Sequence, residues 1–237
     1  MVPPLNIFIL TGAGVSAESG LKTFRDADGL WTQTDLAQLA TPEGFARDPV
    51  RVREFYSARR KILRIAAPNR AHIALARLER EMTALGGSVF LCTQNVDDLH
   101  ERAGGRRVVH MHGELNVTAC TLCSGHWTDR GPLTAQQVCA ECGAVGTCRP
   151  HVVWFGEAPL YMDQINQALE EADLFVAIGT SGSVYPAAGF VAEARALGVA
   201  TCEINLQRSD NAHAFDRRIY GPASEKVTAW VAEVLGD

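Results

Sequence analysis

Residues 5–31 decide the fold, and they read L-N-I-F-I-L-T-G-A-G-V-S-A-E-S-G-L-K-T-F-R-D-A-D-G-L-W. The stretch opens with a short apolar run, which is typical of a buried parallel strand, and continues into a glycine-rich turn. Gly12, Gly14 and Ala17 fit the G-x-G-x-x-G/A pattern of dinucleotide binding, in which backbone N–H groups and a helix N-terminus face a pyrophosphate. The pattern is not specific by itself, because glycine-rich turns after buried strands are common.

The second half of the stretch departs from the ordinary dinucleotide-binding pattern. Ser19-Gly20 interrupts it, and T-F-R-D follows with no second apolar strand. Asp35 lies at the offset expected for a ribose-binding acid, but no strand precedes it. We therefore expect an unusual loop to hold the cofactor. The string G-A-G-V-S-A-E-S-G-x-x-T-F-R resembles the sirtuin family, the NAD-dependent protein lysine deacylases.

The bulk composition excludes several classes of protein. The 237 residues carry a formal net charge of −5, which argues against non-specific nucleic-acid binding. No apolar run approaches the length of a membrane span, and no secretory signal is evident. Four of the seven cysteines form two C-x-x-C pairs, which indicates metal binding in a reducing compartment. We predict a cytoplasmic protein with no membrane partner and no specific nucleic-acid partner.

The order of predicted elements indicates an α/β fold with a doubly wound, Rossmann-like parallel sheet and a small inserted zinc-ribbon/helical domain. The apolar runs predict strands at 5–10, 88–93, 107–111, 173–178 and 199–204, and helices at 48–65, 69–85, 98–102, 162–171, 186–197 and 222–235. We assign 1–31, 85–118 and 149–237 to the Rossmann-like NAD-binding domain, 32–84 to an inserted helical module, and 119–148 to the zinc-ribbon module.

The paired cysteines predict a four-thiolate zinc site. Cys120-x-x-Cys123 and Cys139-x-x-Cys142 are separated by 15 residues, the spacing of a zinc ribbon. Because four thiolates complete a tetrahedron, no open position remains and the metal is structural. The alternatives are free cysteines that coincide by chance, or a redox pair, which needs a strand-to-helix context that is missing here. Sirtuins carry such a zinc; Cys148 breaks the pairing and is expected to be a bystander.

Two histidines in the string H-M-H-G-E-L are candidate bases. His110 and His112 face the same side of a strand, so spacing alone does not choose between them. The resemblance selects His112 as the general base, matching the H-G-x-L motif of the family. It also implies that Asn95 and Asp97, in Q-N-V-D, hold the nicotinamide amide and its ribose, with Asn95 part of the catalytic pair.

The resemblance assigns the other contacts of the co-substrate NAD to loops along the chain: Gly12, Ala13, Gly14, Ser16, Ala17, Glu18, Thr23, Phe24, Arg25, Trp31, Gln94, Gly179, Thr180, Ser181, Asn205, Leu206 and Ala223. It implies that Val152, Val153 and Phe155 bind acyl-lysine proteins or peptides in an extended conformation, by strand addition. The implied reaction transfers the acyl group from lysine to ADP-ribose, and His112 accepts a ribose hydroxyl proton.

Tyr56 and Arg59 lie three residues apart and share a face of the predicted helix 48–65. By spacing alone, they indicate an ordinary amphipathic helix. The string F-Y-S-A-R-R resembles the Y-x-x-R motif of sirtuins that prefer succinyl and malonyl groups, for which a guanidinium fork and a phenol are suitable donors. Ala27 would leave room for the longer acyl chain.

Three other functions compete with deacylation. A protein mono-ADP-ribosyltransferase would use the same NAD pocket, and its products would distinguish it. A hydride-transferring dehydrogenase would need the second strand and acidic residue that the sequence lacks. A zinc-ribbon interaction or nucleic-acid module is disfavoured by the net negative charge and the single ribbon.

Overall fold

The computed structural model describes residues 4–21 and 38–237. Of the residues discussed above, Thr23, Phe24, Arg25, Ala27, Trp31 and Asp35 lie outside this part of the chain. The described residues contain nine strands: β1 (Asn6–Thr11), β2 (Ser88–Thr93), β3 (Val108–His110), β4 (Gly113–Cys120), β5 (His126–Thr128), β6 (Cys148–Val152), β7 (Leu174–Ile178), β8 (Ala200–Asn205) and β9 (Arg217–Tyr220).

Helices alternate with these strands along most of the chain. The described helices are α1 (Pro42–Arg47), α2 (Pro49–Ile65), α3 (Arg70–Ala84), α4 (Leu99–Arg102), α5 (Met162–Glu170), α6 (Phe190–Ala196) and α7 (Ala223–Leu235). Short 3-10 turns at Ala13–Val15 and Ala17–Ser19 follow β1. Among the described residues, no helix combines the length and the apolar character that crossing a bilayer requires.

A six-stranded parallel sheet forms the centre of the fold, in the order β3-β2-β1-β7-β8-β9. The strand order reverses between β1 and β7. In open α/β sheets, ligands bind at the carboxyl ends of the strands at this switch point. The predicted doubly wound, Rossmann-like sheet is confirmed, and it places the glycine-rich turn after β1 at the switch point.

Strand β1 is apolar without alternation because both of its faces are covered. Ile7 and Ile9 pack with residues of α3 and α7 on one face, while Phe8 and Leu10 pack with residues of α5 and α6 on the other. All four side chains are almost completely buried. Burying each side chain stabilises the fold by about 1.5–3 kcal/mol, so the strand is fixed at the centre of the sheet.

Helices α2 and α3 begin where their capping residues predict. The Asp48 side chain accepts a hydrogen bond from the Arg51 N–H at 3.0 Å, and Asn69 accepts one from the Ala71 N–H at 2.9 Å. The two helices then diverge in their packing: α2 lies against the second sheet, whereas α3 packs on the central sheet and against α7. The assignment of 32–84 to one inserted module stays a prediction.

A second, antiparallel sheet has the order β5-β4-β6 and was not predicted from the sequence. The sequence did contain one signal for β4: the apolar residues Leu115, Val117 and Ala119 alternate with polar residues, as is typical of a strand with one buried face. The strand continues across position 118/119, where we placed a domain boundary, and it joins the zinc ribbon to the segment that ends at His112. This sheet, together with the cysteine cluster described below, forms the small inserted part of the α/β fold.

Candidate active site and metal centre

The glycine-rich turn after β1 closes against the loop after β7. The Gly12 N–H donates to Ile178 O at 2.9 Å, and the Gly14 N–H donates to Gly179 O at 2.8 Å. A Cβ on Gly14 would lie 2.7 Å from Gly179 Cα, closer than side chains tolerate. The pattern predicts that backbone N–H groups of this turn face a pyrophosphate, without specifying which ones. The N–H groups of Gly12 and Gly14 instead donate to carbonyls of the protein. The glycines allow the two loops to lie in contact, and the two loops form the floor of the crevice.

A buried polar cluster lies beside this floor, where β1 and β2 end. The Asn95 amide donates to Gly12 O at 3.1 Å and to Ser16 Oγ at 3.2 Å. Ser16 Oγ donates to Asp97 Oδ2 at 3.0 Å. Burial raises the pKa of the Asp97 carboxyl, and the hydrogen bonds from Leu99 and Ser16 oppose that rise. The structure thus brings three of the predicted NAD-binding side chains into direct contact.

The two candidate histidines differ in what their ring nitrogens contact. His110 uses both, since Nδ1 lies 3.0 Å from Asn95 O and Nε2 lies 2.7 Å from Glu101 Oε1. Burial opposes protonation of His110, but the Glu101 carboxylate outweighs it and raises the pKa of this imidazole. With both nitrogens bound and a raised pKa, His110 is a poor candidate for a general base.

His112 has the properties that a general base needs. Its Nδ1 lies 3.0 Å from Gln94 O, and because a carbonyl only accepts, Nδ1 carries the proton. The lone pair is then on Nε2, and no residue in the described part of the chain donates to it. Burial lowers the pKa of His112 below 6.5, although the Gln94 carbonyl opposes this. The imidazole is therefore neutral near pH 7, the form in which it accepts a proton. Spacing could not distinguish His112 from His110, because the difference lies in tertiary contacts.

One buried donor in this region has no partner within the described part of the chain. The Gln94 side-chain Nε2 is inaccessible to water and makes no hydrogen bond to any described residue. A buried polar group without a partner is costly, by about 1–3 kcal/mol, so such a group indicates a ligand or a further contact. Gln94 directly precedes Asn95, a member of the Asn95–Ser16–Asp97 cluster, in the sequence. Together they fit a ligand that carries amide and hydroxyl groups, as NAD does.

The loops predicted to hold the adenosine half of NAD meet at the other side of the switch point. Asn205 Nδ2 donates to Thr180 O at 2.7 Å, which ties the loop after β8 to the loop after β7. The Ser181 carbonyl accepts from Asp210 N at 3.0 Å, and Leu206 is exposed. The structure therefore brings these loops to one edge of the sheet, and their role in holding the adenosine half stays a prediction.

Glu18 has a contact that sequence reasoning missed. Its carboxylate accepts from the Ser224 N–H at 2.9 Å and from Ser224 Oγ at 2.5 Å, at the start of α7, whose first residue is Ala223. Burial opposes ionisation, but these bonds lower the pKa of Glu18. A carboxylate at a helix N-terminus stabilises that helix, so Glu18 fixes Ala223 beside the glycine-rich turn.

The predicted peptide-binding segment begins at Val152, the last residue of β6. The Val153 N–H donates to His112 O, and the Phe155 N–H donates to Ala40 O, both at 2.9 Å. Val152 pairs with Gly113 in the second sheet, and the Phe155 side chain is half exposed. The two N–H groups are thus used within the protein, and any strand addition at these two residues must use their carbonyls. The contact with His112 places the segment beside the candidate base.

Tyr56 and Arg59 lie on the face of α2 that turns toward this segment. Trp154 Nε1 donates to the Tyr56 hydroxyl at 2.9 Å, a contact that sequence reasoning missed. The Arg59 guanidinium lies over the Phe55 ring, 5.5 Å from its centroid, and has no hydrogen-bond or ion-pair partner among residues 4–21 and 38–237. Burial lowers its pKa, while Tyr56 and Asp97 oppose the shift. Burial raises the pKa of Tyr56, which stays protonated.

The four paired cysteines converge at the end of the second sheet. Their sulfur atoms all lie within 4.8 Å of one another, with Cys120 Sγ 3.9 Å from Cys142 Sγ and Cys123 Sγ 3.6 Å from Cys139 Sγ. Zinc–thiolate bonds of about 2.3 Å in a tetrahedron place sulfurs about 3.8 Å apart. The donor set and its spacing therefore fit one structural zinc ion, with four protein ligands.

Comparison with known proteins gives one consistent result. A model of the Sir2 family matches residues 12–186. An NAD-dependent protein deacylase of Caulobacter vibrioides is 66% identical over 231 residues, covering 98% of this chain and 97% of the relative. A Sir2 homolog solved in complex with NAD has a TM-score of 0.87 at 41% identity, covering 96% of this chain and 88% of that one. A Sir2 structure with a deacetylated p53 peptide and 3′-O-acetyl ADP-ribose has a TM-score of 0.76 at 26% identity, covering 97% and 92%.

Proposed function

Because the chain belongs to the Sir2 family, the sirtuins, we propose that it is an NAD-dependent protein lysine deacylase that removes acetyl, succinyl and malonyl groups from lysine side chains. The similarity to a named deacylase over nearly the whole chain supports the deacylase activity. The observation that carries the proposal is the neutral imidazole of His112, whose Nε2 has no hydrogen-bond partner among the described residues and which lies beside a buried polar cluster at the switch point of the sheet. The acyl preference rests on Tyr56 and Arg59.

NAD supplies the ribose carbon to which the acyl oxygen bonds as nicotinamide leaves, and with one water the products are free lysine, nicotinamide and 2′-O-acyl-ADP-ribose. In our proposal, His112 Nε2 accepts the proton of the ribose hydroxyl, and the Gln94 carbonyl keeps the ring in the required tautomer. Asn95 and Asp97 bind the nicotinamide amide and ribose. Their contacts with Ser16 hold both side chains in place before the ligand arrives.

A cation with no ion-pair partner among the described residues supports the preference for acidic acyl groups. The Arg59 guanidinium is partly buried, and no described carboxylate forms an ion pair with it, although Asp97 favours its charged form from a longer distance. A buried charge is stable when an anion pairs with it, and a guanidinium fork suits a carboxylate. The Tyr56 hydroxyl adds a donor on the same helix face. We propose that the terminal carboxylate of a succinyl or malonyl group binds these donors.

The substitution Arg59→Met tests this preference. Each charge-assisted hydrogen bond is worth about 1.5–3 kcal/mol, so the ratio of desuccinylation to deacetylation, in kcat/KM, should fall by about 10- to 150-fold for each such bond that the substitution removes. Arg64→Met on the same helix is the matched control, since the Arg64 side chain is exposed and its guanidinium bonds only the Arg130 carbonyl in the described structure. A ratio that stays the same in both variants would refute the acidic-acyl proposal and leave the deacylase proposal intact.

We also propose that acyl-lysine proteins or peptides bind in an extended conformation along residues 152–155, next to His112. A reducing compartment such as the cytoplasm would suit the protein, because its zinc thiolates must stay reduced.

A further inference from the structure

The Tyr56 hydroxyl is held by one neighbour that is distant in sequence. Trp154 Nε1 donates to it at 2.9 Å, although the two residues are 98 positions apart. Tyr56 is 3% exposed and Trp154 is 2% exposed. The two rings lie 6.4 Å apart at an interplanar angle of 38°, so they also pack against each other. The hydroxyl is therefore fixed by a specific donor in a water-poor environment.

Trp154 is itself held from several directions. Its backbone N–H donates to Glu157 Oε2 at 2.7 Å, and the Arg149 guanidinium lies 3.4 Å above its ring. Arg149 and Glu157 form an ion pair at 2.6 Å. The Phe45 ring packs at 5.4 Å. This arrangement fixes the indole, and the direction of its N–H bond with it.

The chemistry of the two groups decides the direction of the Tyr56 hydrogen bond. An indole N–H only donates, so it occupies a lone pair of the phenol oxygen. The single phenol proton then remains to be donated elsewhere, and no described residue accepts it. A phenol that accepts one bond also becomes a stronger donor in another, because hydrogen bonds in a chain polarise each other.

We propose that Trp154 is a positioning residue for acyl specificity: by donating to Tyr56, it commits the tyrosine hydroxyl to donate to the terminal carboxylate of an acidic acyl group. This inference rests on the proposed role of Tyr56 and Arg59. With the indole bound to one lone pair of the phenol oxygen, the Tyr56 hydroxyl offers its proton beside the donor groups of Arg59. An acyl chain that ends in a carboxylate satisfies donors alone, whereas the amide of a succinamoyl chain also needs an acceptor for its NH₂ group.

The test is Trp154→Phe, which keeps an aromatic ring and removes the N–H. The measured quantity is the ratio of succinyl to acetyl kcat/KM on matched peptides, and it should fall about 2- to 10-fold, the worth of one neutral hydrogen bond. The loss should occur as a rise in KM for the succinyl peptide with little change in kcat. Trp127→Phe, on β5 of the second sheet, is the matched control and should leave the ratio at its wild-type value.

A double-mutant cycle separates positioning from packing. If Trp154 acts through the phenol, Trp154→Phe should have no further effect on the ratio in a Tyr56→Phe background. Equal losses for succinyl and acetyl peptides, or an undiminished loss in that background, would overturn the inference. An unchanged ratio in Trp154→Phe, with a fall in Arg59→Met, would overturn this inference alone. Failure of the wild-type protein to remove succinyl groups would overturn the acidic-acyl proposal as well.

A second measurement needs no folded Trp154 variant. In ¹⁵N-tryptophan-labelled protein, each of the chain's four tryptophans contributes one indole N–H signal. The signal that shifts in Tyr56→Phe belongs to the indole bonded to the phenol. We expect it to shift further when a succinyl-lysine peptide binds than when a succinamoyl-lysine peptide binds. Equal shifts with the two peptides would overturn the inference.

Discussion

Arg60 gives the most quantitative prediction about stability. It follows Arg59 on α2, and its side chain contacts the second sheet and the residues that follow β5. The side chain is 1% exposed and makes five hydrogen bonds. The acceptors are Leu115 O at 2.7 Å, Gly131 O at 2.7 Å, Thr118 Oγ1 at 2.9 Å, Val117 O at 3.2 Å and Asp129 Oδ2 at 3.3 Å.

Replacing Arg60 by methionine should destabilise the protein by about 3–5 kcal/mol. The substitution leaves three carbonyls and the Asp129 carboxylate, which is 18% exposed, without their cation. Each buried carbonyl left without a donor costs about 1–3 kcal/mol, and the loss of the partly buried ion pair with Asp129 adds to this. For a chain of this size, each kcal/mol lowers Tm by about 2–4 °C, so we expect a fall of roughly 6–20 °C.

Thermal unfolding of the zinc-loaded protein, followed by circular dichroism, measures this effect. Arg64→Met is the control, since the Arg64 side chain is exposed and surface substitutions usually change stability by less than about 0.5 kcal/mol. A Tm for Arg60→Met within 2 °C of the Arg64→Met value would refute the reasoning. It would mean that the five hydrogen bonds do not hold the second sheet to α2.

Three further predictions follow from the same structure. Replacing His112 by alanine should lower kcat about 10²- to 10⁴-fold, and near-normal turnover of this variant would contradict the assignment. In the wild type, kcat/KM should decrease at acidic pH, with a pKa below 6.5, because acid protonates the base. Cys139→Ala should lose the zinc, measured as metal per chain, whereas Cys148→Ser should keep it, and an equal content in both variants would argue against the four-thiolate site. Burial lowers the pKa of His72 to about 4. Between pH 6.5 and 4, the unfolded chain therefore binds a proton at this residue that the folded chain does not. As the pH decreases through this range, the free energy of unfolding should decrease by up to about 3 kcal/mol from this residue. In urea titrations across this range His72→Gln should remove that share of the fall, and an unchanged slope would show that other groups cause it.

Local signals in the sequence predicted much of the fold. The strand at Ser88–Thr93 was placed at its observed bounds, because a buried parallel strand is apolar throughout. The capping side chains of Asp48 and Asn69 located the starts of α2 and α3. The sequence also predicted the zinc site, since ligand spacing within two C-x-x-C pairs is a local property.

These local signals did not predict the contacts between segments that are distant in the sequence. The pairing of β4 with β6 joins residues separated by the whole zinc ribbon. By spacing alone, nothing distinguishes Arg60 from the other basic residues of this helix, although it is buried against acceptors 55 or more positions away. The choice between His110 and His112 depends on Glu101 and Gln94, which no periodicity relates to them.

The central claim is the deacylase reaction itself, and product analysis tests it most directly. The purified protein would be incubated with NAD and matched acetyl-, succinyl- and malonyl-lysine peptides, and the products identified by mass spectrometry. We expect one free-lysine peptide and one nicotinamide for each acyl-ADP-ribose, with the succinyl and malonyl peptides consumed at least as fast as the acetyl peptide. ADP-ribosylated protein with intact acyl peptides, or no consumption of NAD, would contradict the account.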